Sequence, residues 1–217
     1  MIETGGETLR DEVLAELESD PRVNPERIGV IAEDGLVTLT GTVPAFAQKW
    51  AAEEAVKRVK GVRAVVEDLK VDLPATHVRD DADVARTASA ALYWDTLLPA
   101  SIQIVVNDGY VSLDGQVEWN YQREEAEEVV RRIAGVRGIS NLIHIRQAVS
   151  AKNIRDEIDE AFKRDAHVNA GAISVTVNGS KVTLTGKVHS WYERNEASRA
   201  AWSIAGVTAV DNQLAIL

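Results

Sequence analysis

The stretch Asp34-Gly35-Leu36-Val37-Thr38-Leu39-Thr40-Gly41-Thr42-Val43 decides how this chain is read, because it is written three times. It returns as Asp108-Gly109-Tyr110-Val111-Ser112-Leu113-Asp114-Gly115-Gln116-Val117. It returns again as Asn178-Gly179-Ser180-Lys181-Val182-Thr183-Leu184-Thr185-Gly186-Lys187-Val188. A second glycine follows each copy 20 residues later, from Gly41 to Gly61, Gly115 to Gly135 and Gly186 to Gly206. The next residue is always valine (Val62, Val136, Val207). The period, 74 and then 71 residues, is too long for a solenoid unit and long enough for a small globular module. The 217 residues therefore divide into modules 1–74, 75–148 and 149–217. A core of that size is marginal alone, so docking between modules or between chains would add to it.

Each copy repeats the same order of signals. Apolar residues at helical spacing come first: Leu9, Val13, Leu14 and Leu17; Val84, Ala88, Ala91 and Leu92; Ile154, Ile158, Ala161 and Phe162. Thr4-x-x-Glu7 reads as a capping box and Asn153 as an N-cap. Period-two strands follow at Ile28-Val30-Ala32, Ile102-Ile104-Val106 and Ile173-Val175-Val177. Asp34-Gly35, Asp108-Gly109 and Asn178-Gly179 are hairpin turns, whose two central residues need positive φ. Gly41, Gly115 and Gly186 sit late in the return strands and mark a bulge or a close backbone approach. A second helix carries an apolar stripe at Ala52/Ala126/Ala197, Ala55/Val129/Ala200, Val56/Val130/Ala201 and Val59/Ile133/Ile204. Ser190-x-x-Glu193 is a capping box for its third copy, and Gly61, Gly135 and Gly206 take the C′ position. An alternating strand closes each module (Leu69/Val71, Ile143/Ile145, Leu214/Ile216). The expected fold is α+β: three tandem αββαβ modules, each a small mixed three-stranded sheet with two helices on one face. Stretches 74–83 and 146–153 read as linkers.

The strand signature Val-Thr-Leu-Thr-Gly-x-Val, the 20-residue step to Gly-Val and the closing alternating strand resemble the BON domain, named for bacterial osmotic-shock and nodulation proteins. The resemblance covers nearly the whole chain as three copies, where two are usual. It implies the αββαβ fold, no enzymatic activity, and a role in osmotic and envelope stress through attachment to phospholipid or another envelope component. Many members are periplasmic, with a signal peptide or a lipoprotein cysteine. This chain has no cysteine, no basic-then-apolar leader and no 18-residue apolar run, so the expected compartment is the cytoplasm, or the periplasm if a leader was removed.

Composition and spacing argue against chemistry. His77, His144, His167 and His189 are scattered and read as surface residues. Ser190 beside His189 reads as a helix cap, no glycine loop has phosphate-cradle spacing, and the Asp-Gly turns lack the ligands of a calcium loop. Glu127 and Glu128 precede Arg131 and Arg132 by four residues, as on a solvated helix face. No catalytic residue, metal ligand or cofactor is therefore assigned. The net charge of −10 argues against a nucleic-acid partner. It is graded: −6, −4 and 0 over the three modules.

The copies also compare with one another. Trp50 matches Glu124 and Asn195, and Trp202 matches Lys57 and Arg131. Both indoles lie off the apolar stripe, so both should be partly exposed. They face a neighbouring module, a second copy of the chain, or lipid. Aromatics recur at the start of helix two, at Phe46, Trp119 with Tyr121, and Trp191 with Tyr192. They read as hydrophobic staples or as a docking rim. Tyr93-Trp94 ends helix one of module 2, with no aromatic counterpart at Asp20 or Asp165, and is expected to plug the junction to module 1. Two functions follow: reversible binding to an anionic phospholipid surface or envelope component, or self-association into a ring or extended homo-oligomer.

Overall fold

The computed structural model describes residues 4–146, 154–165 and 169–217. The caps expected from Thr4-x-x-Glu7 and Asn153, the whole of the second linker beyond residue 146, and His167 lie outside the described residues or side chains.

Module 1 runs α1 (Thr4–Ser19), β1 (Ile28–Glu33), β2 (Leu36–Val43), α2 (Phe46–Arg58), β3 (Ala64–Val71). Module 2 runs α3 (Asp81–Trp94), β4 (Gln103–Asn107), β5 (Tyr110–Asp114), β6 (Gln116–Val117), α4 (Asn120–Arg131), β7 (Gly138–Asn141), β8 (His144–Ile145). Module 3 runs α5 (Ile154–Arg164), β9 (Ile173–Asn178), β10 (Lys181–Val188), α6 (Trp191–Trp202), β11 (Ala209–Ile216). The fold is thus the expected repeated αββαβ. In each module the return strand is central: β2 pairs antiparallel with β1 and parallel with β3, and β10 does the same with β9 and β11. In module 2 the return strand breaks into β5 and β6, because the Asp114 carboxylate accepts the Gly115 N–H at 2.6 Å. The ladder resumes beyond it, with His144 N donating to Gly115 O at 2.9 Å.

Each module buries its own helix stripes against one face of its own sheet. Val13, Leu17, Val37, Leu39, Ala52 and Val56 are the centre of module 1; Val84, Leu113, Ala126 and Val130 that of module 2; Ile158, Phe162, Leu184 and Ala197 that of module 3. The strand glycines permit a close approach. A Cβ on Gly41, at φ +114, would stand 2.1 Å from Arg27 O, and one on Gly186, at φ +136, 2.2 Å from Ala172 O.

Three local expectations change. Helix α2 ends at Arg58, so Gly61 lies beyond C′. It is the third residue of a turn closed by Val62 N donating to Val59 O, and Gly135 and Gly206 repeat this. Their φ of 93°, 95° and 90° suits a type II turn. In module 3 Asn178 pairs with Lys181, so the hairpin turn is Gly179-Ser180 and only Gly179 has positive φ. This copy has one more residue between its turn and its strand glycine, which shifts the turn by one. Finally, α3 starts inside the 74–83 stretch read as a linker, with Asp80 capping through the Asp83 N–H at 2.7 Å.

Candidate interaction surface

The second helices meet one another. The Trp50 ring of α2 receives the Arg131 guanidinium of α4 at 4.0 Å. The Trp202 ring of α6 receives Arg123 of α4 at 5.4 Å. The Trp191 ring at the start of α6 lies 5.5 Å from Lys57 Nζ of α2 and 5.1 Å from Arg194 on its own helix. Each second helix therefore touches the other two. Counted from the strand glycine, Lys57, Arg131 and Trp202 occupy one equivalent position, and each reaches the helix of another module.

The helix-two aromatics serve the same closure. Phe46 packs on the core of module 2 although it belongs to module 1, and Trp191 packs on the core of module 1 although it belongs to module 3. Their equivalent in module 2, Asn120, is 4% exposed and donates to Glu124 Oε1 at 2.7 Å. Burial lowers the Arg194 pKa. Burial also acts to lower that of Lys57, but Glu53 and Glu54 outweigh it, so the ammonium is held charged over Trp191. Trp50 and Trp202 are half-buried between modules.

The other aromatics point outward. Tyr93 and Trp94 are 72% and 78% exposed and form a T-shaped pair with centroids 5.3 Å apart. They do not plug the junction to module 1. The buried stripe of α3 is Val84, Ala88 and Leu92. At 100° per residue, Tyr93 and Trp94 leave that stripe on the solvent side. Gln122 Nε2 donates to Leu97 O at 3.2 Å and ties the loop after α3 to the start of α4. That link joins exposed Leu97 to the start of α4, where Trp119 and Tyr121 are exposed as well. The C-terminal end of helix one is ionic in module 1, with Asp20 between Arg22 at 2.7 Å and Arg58 at 2.8 Å. That of module 3 carries Asp165 with Arg199 at 3.4 Å. Tyr192, matching Tyr121, is exposed on module 3.

Sequence reasoning left one sheet face of each module uncovered but did not single out the apolar residues on it. Ile31, Thr38 and Val66 form one cross-strand row in module 1, with Ile31 and Val66 exposed. Val105, Tyr110 and Leu142 are exposed on module 2. Module 3 carries Ser174, Thr176, Thr183, Thr185, Asp211 and Gln213 at the matching places. Apolar residues in the polar phase of an alternating strand were the available signal.

The histidines that the structure describes stand singly. His77, His144 and His189 are exposed and apart. Ser190 Oγ accepts the Glu193 N–H at 3.1 Å, while Glu193 returns to the His189 N–H at 2.8 Å, one residue before the cap. Among the described residues, no three His, Asp or Glu side chains are grouped to hold a metal ion, and no helix is long and apolar enough to cross a membrane.

With three αββαβ units and an exposed aromatic end in place, the class is that of a tandem-module protein whose surfaces, not a pocket of titrating groups, are distinctive. The BON domain family matches residues 6–72, 80–147 and 150–217, and the chain belongs to that family. It is 30% identical over 137 residues to osmotically-inducible protein Y of Escherichia coli (strain K12), which covers 59% of this chain and 67% of that protein. Two structures of CdsD, a structural protein of the type III secretion system of Chlamydia trachomatis, align with it. One covers 97% of this chain and 92% of its own at 15% identity, the other 100% of both at 14%, each with a TM-score of 0.27. That score is too low to bear on fold or function.

Proposed function

We propose that this is a non-catalytic osmotic-stress protein that binds a phospholipid surface, or another envelope component, through the aromatic end of module 2. One observation carries the reading: the Tyr93–Trp94 pair ends α3 72% and 78% exposed, where α1 ends in Glu18-Ser19 and α5 in Lys163-Arg164. Trp and Tyr rings favour the membrane–water boundary, with an apolar body and a polar tip. Family membership and the likeness to an osmotically inducible protein support the stress context. Trp202, half-buried and stacked on Arg123, is a poor lipid anchor by comparison.

The charge of −10 sets the salt dependence. Repulsion from anionic vesicles is screened by salt, so binding to phosphatidylglycerol vesicles is expected to rise with ionic strength. Co-sedimentation at low and high salt, with the unmodified chain and Trp94→Ala, tests this. Trp94→Ala should abolish sedimentation and Trp202→Ala should not. Sedimentation that ignores Trp94 removes this surface from consideration.

A second reading, self-association, is favoured by the exposed Ile31–Val66 row and by Val105 and Leu142. Light scattering of the unmodified chain and of Val66→Lys tests it: a mass above 23.6 kDa that falls to the monomer in the variant is the expected result.

A further inference from the structure

We propose that the cleft between modules 1 and 2 binds a small anionic amphiphile, its head on Lys70 and Arg137 and its apolar part among Phe46, Val71 and Ile139. The cleft has a volume of about 660 Å³ and is lined by all five residues. That volume suits a small molecule, whose sites span ~300–1,000 Å³. Its walls come from β3 of one module and β7 of the next, so it exists only because the modules are closed on each other.

Charge complementarity identifies the head group. Lys49 also lines the cleft but is neutralised by Glu67 at 2.8 Å. Among the described residues neither Lys70 nor Arg137 has a carboxylate within 4.0 Å, in a chain with ten more acidic than basic residues. The Arg137 stem lies over the Asp108-Gly109 turn, its Cγ 3.0 Å from where a Gly109 Cβ would be. A second cavity shares Tyr110 and Arg137 but is lined by Asp80, Asp81 and Asp108, which repel an anion. The head is thus confined to the Lys70–Arg137 side and the apolar part to the larger cleft.

The edge of β3 argues for a small molecule over a peptide strand. Leu69 N donates to Glu67 Oε1 at 2.6 Å, and Leu69 O accepts from Lys49 Nζ at 2.8 Å. An incoming strand finds both groups occupied, which is how sheet edges resist added strands. A carboxylate and a phosphate head share the chemistry required.

The probe is 1-anilinonaphthalene-8-sulfonate, followed by fluorescence with the full chain and challenged with laurate, dodecyl phosphate or dodecyltrimethylammonium. Saturable binding at one site, displaced by either anion and not by the cation, is expected; which anion displaces better identifies the head group. Lys70→Gln/Arg137→Gln should weaken binding about tenfold, the worth of a charge-assisted hydrogen bond. Arg63→Gln, at the position in module 1 that matches Arg137 but outside the cleft, should not. In the unmodified chain, laurate should shift the amide resonances of Leu69–Val71 and Gly138–Ser140. Equal displacement by the cation, undiminished binding in the double variant, or shifts clustered elsewhere would overturn the assignment. Trp94→Ala leaves this binding intact, so the site stands or falls apart from the vesicle reading.

Discussion

The Arg131 guanidinium lies 4.0 Å from the centre of the Trp50 ring, across the boundary between modules 2 and 1. Arg131 is also 3.1 Å from Glu127 on its own helix, and its side chain is 11% exposed. The cation is thus largely desolvated, where a cation–π contact is worth ~1–2 kcal/mol. A double-mutant cycle of Trp50→Leu and Arg131→Met, read by urea unfolding, should return a coupling of that size. A coupling of zero would mean that the ring and the guanidinium are neighbours without interaction.

Gly41→Ala and Gly186→Ala should be among the most damaging single substitutions, at about 3 kcal/mol each, because strained φ and a backbone clash act together. Their Cβ atoms would meet carbonyl oxygens at 2.1 and 2.2 Å, and backbone cannot step aside as a flexible side chain can. Gly179→Ala is the control: φ is +62° there, yet nothing lies within 4 Å of the added carbon. It should cost only ~1–2 kcal/mol, from the left-handed conformation alone. Thermal unfolding of the three variants gives the order.

Asp20 supplies a pH dependence with a defined sign. The Arg22 side chain, with a further bond from Arg58, holds its carboxyl well below the ordinary value of 3.8 despite opposing desolvation. A depressed folded pKa means that the unfolded chain takes up the proton first as pH falls. The stabilisation is therefore complete above 3.8 and lost as pH descends through the lower folded value. Asp20→Asn should be destabilised at neutral pH, and its deficit should shrink between about pH 5 and pH 2. A deficit constant over that range would remove Asp20 from the acid transition.

The modules were legible because each hairpin, stripe and glycine step is a local pattern written three times. The closure between modules was only half legible. Trp50 against Glu124 and Asn195, and Trp202 against Lys57 and Arg131, show that intramodule cores do not need these indoles. They do not show what the indoles meet, because Arg131 and Arg123 are brought to them by tertiary geometry. The turn glycines were misplaced because a C′ residue and the third residue of a type II turn both demand positive φ, and sequence cannot separate them. Tyr93 and Trp94 were assigned to the junction because the other copies have no aromatic there, although the Val84-Ala88-Leu92 stripe already fixes the buried side of α3. The inter-module cleft had no signature at all, since Lys70 and Arg137 lie far apart in sequence and meet only across the boundary.

Phe46 offers the sharpest test of that closure. It begins a helix of module 1 but packs on the core formed by Val84, Leu113 and Val130 of module 2. Truncating a half-buried Phe removes ~2 kcal/mol of apolar contact. If the closure couples the modules, Phe46→Ala must loosen a sheet to which it does not belong. Native-state hydrogen exchange should then show faster exchange at Val111 and Leu113 than in the unmodified chain. Trp191→Ala, in module 3, should do the same to Val37 and Leu39 of module 1. Exchange that quickens only within the substituted module would mean that the three units touch without supporting one another.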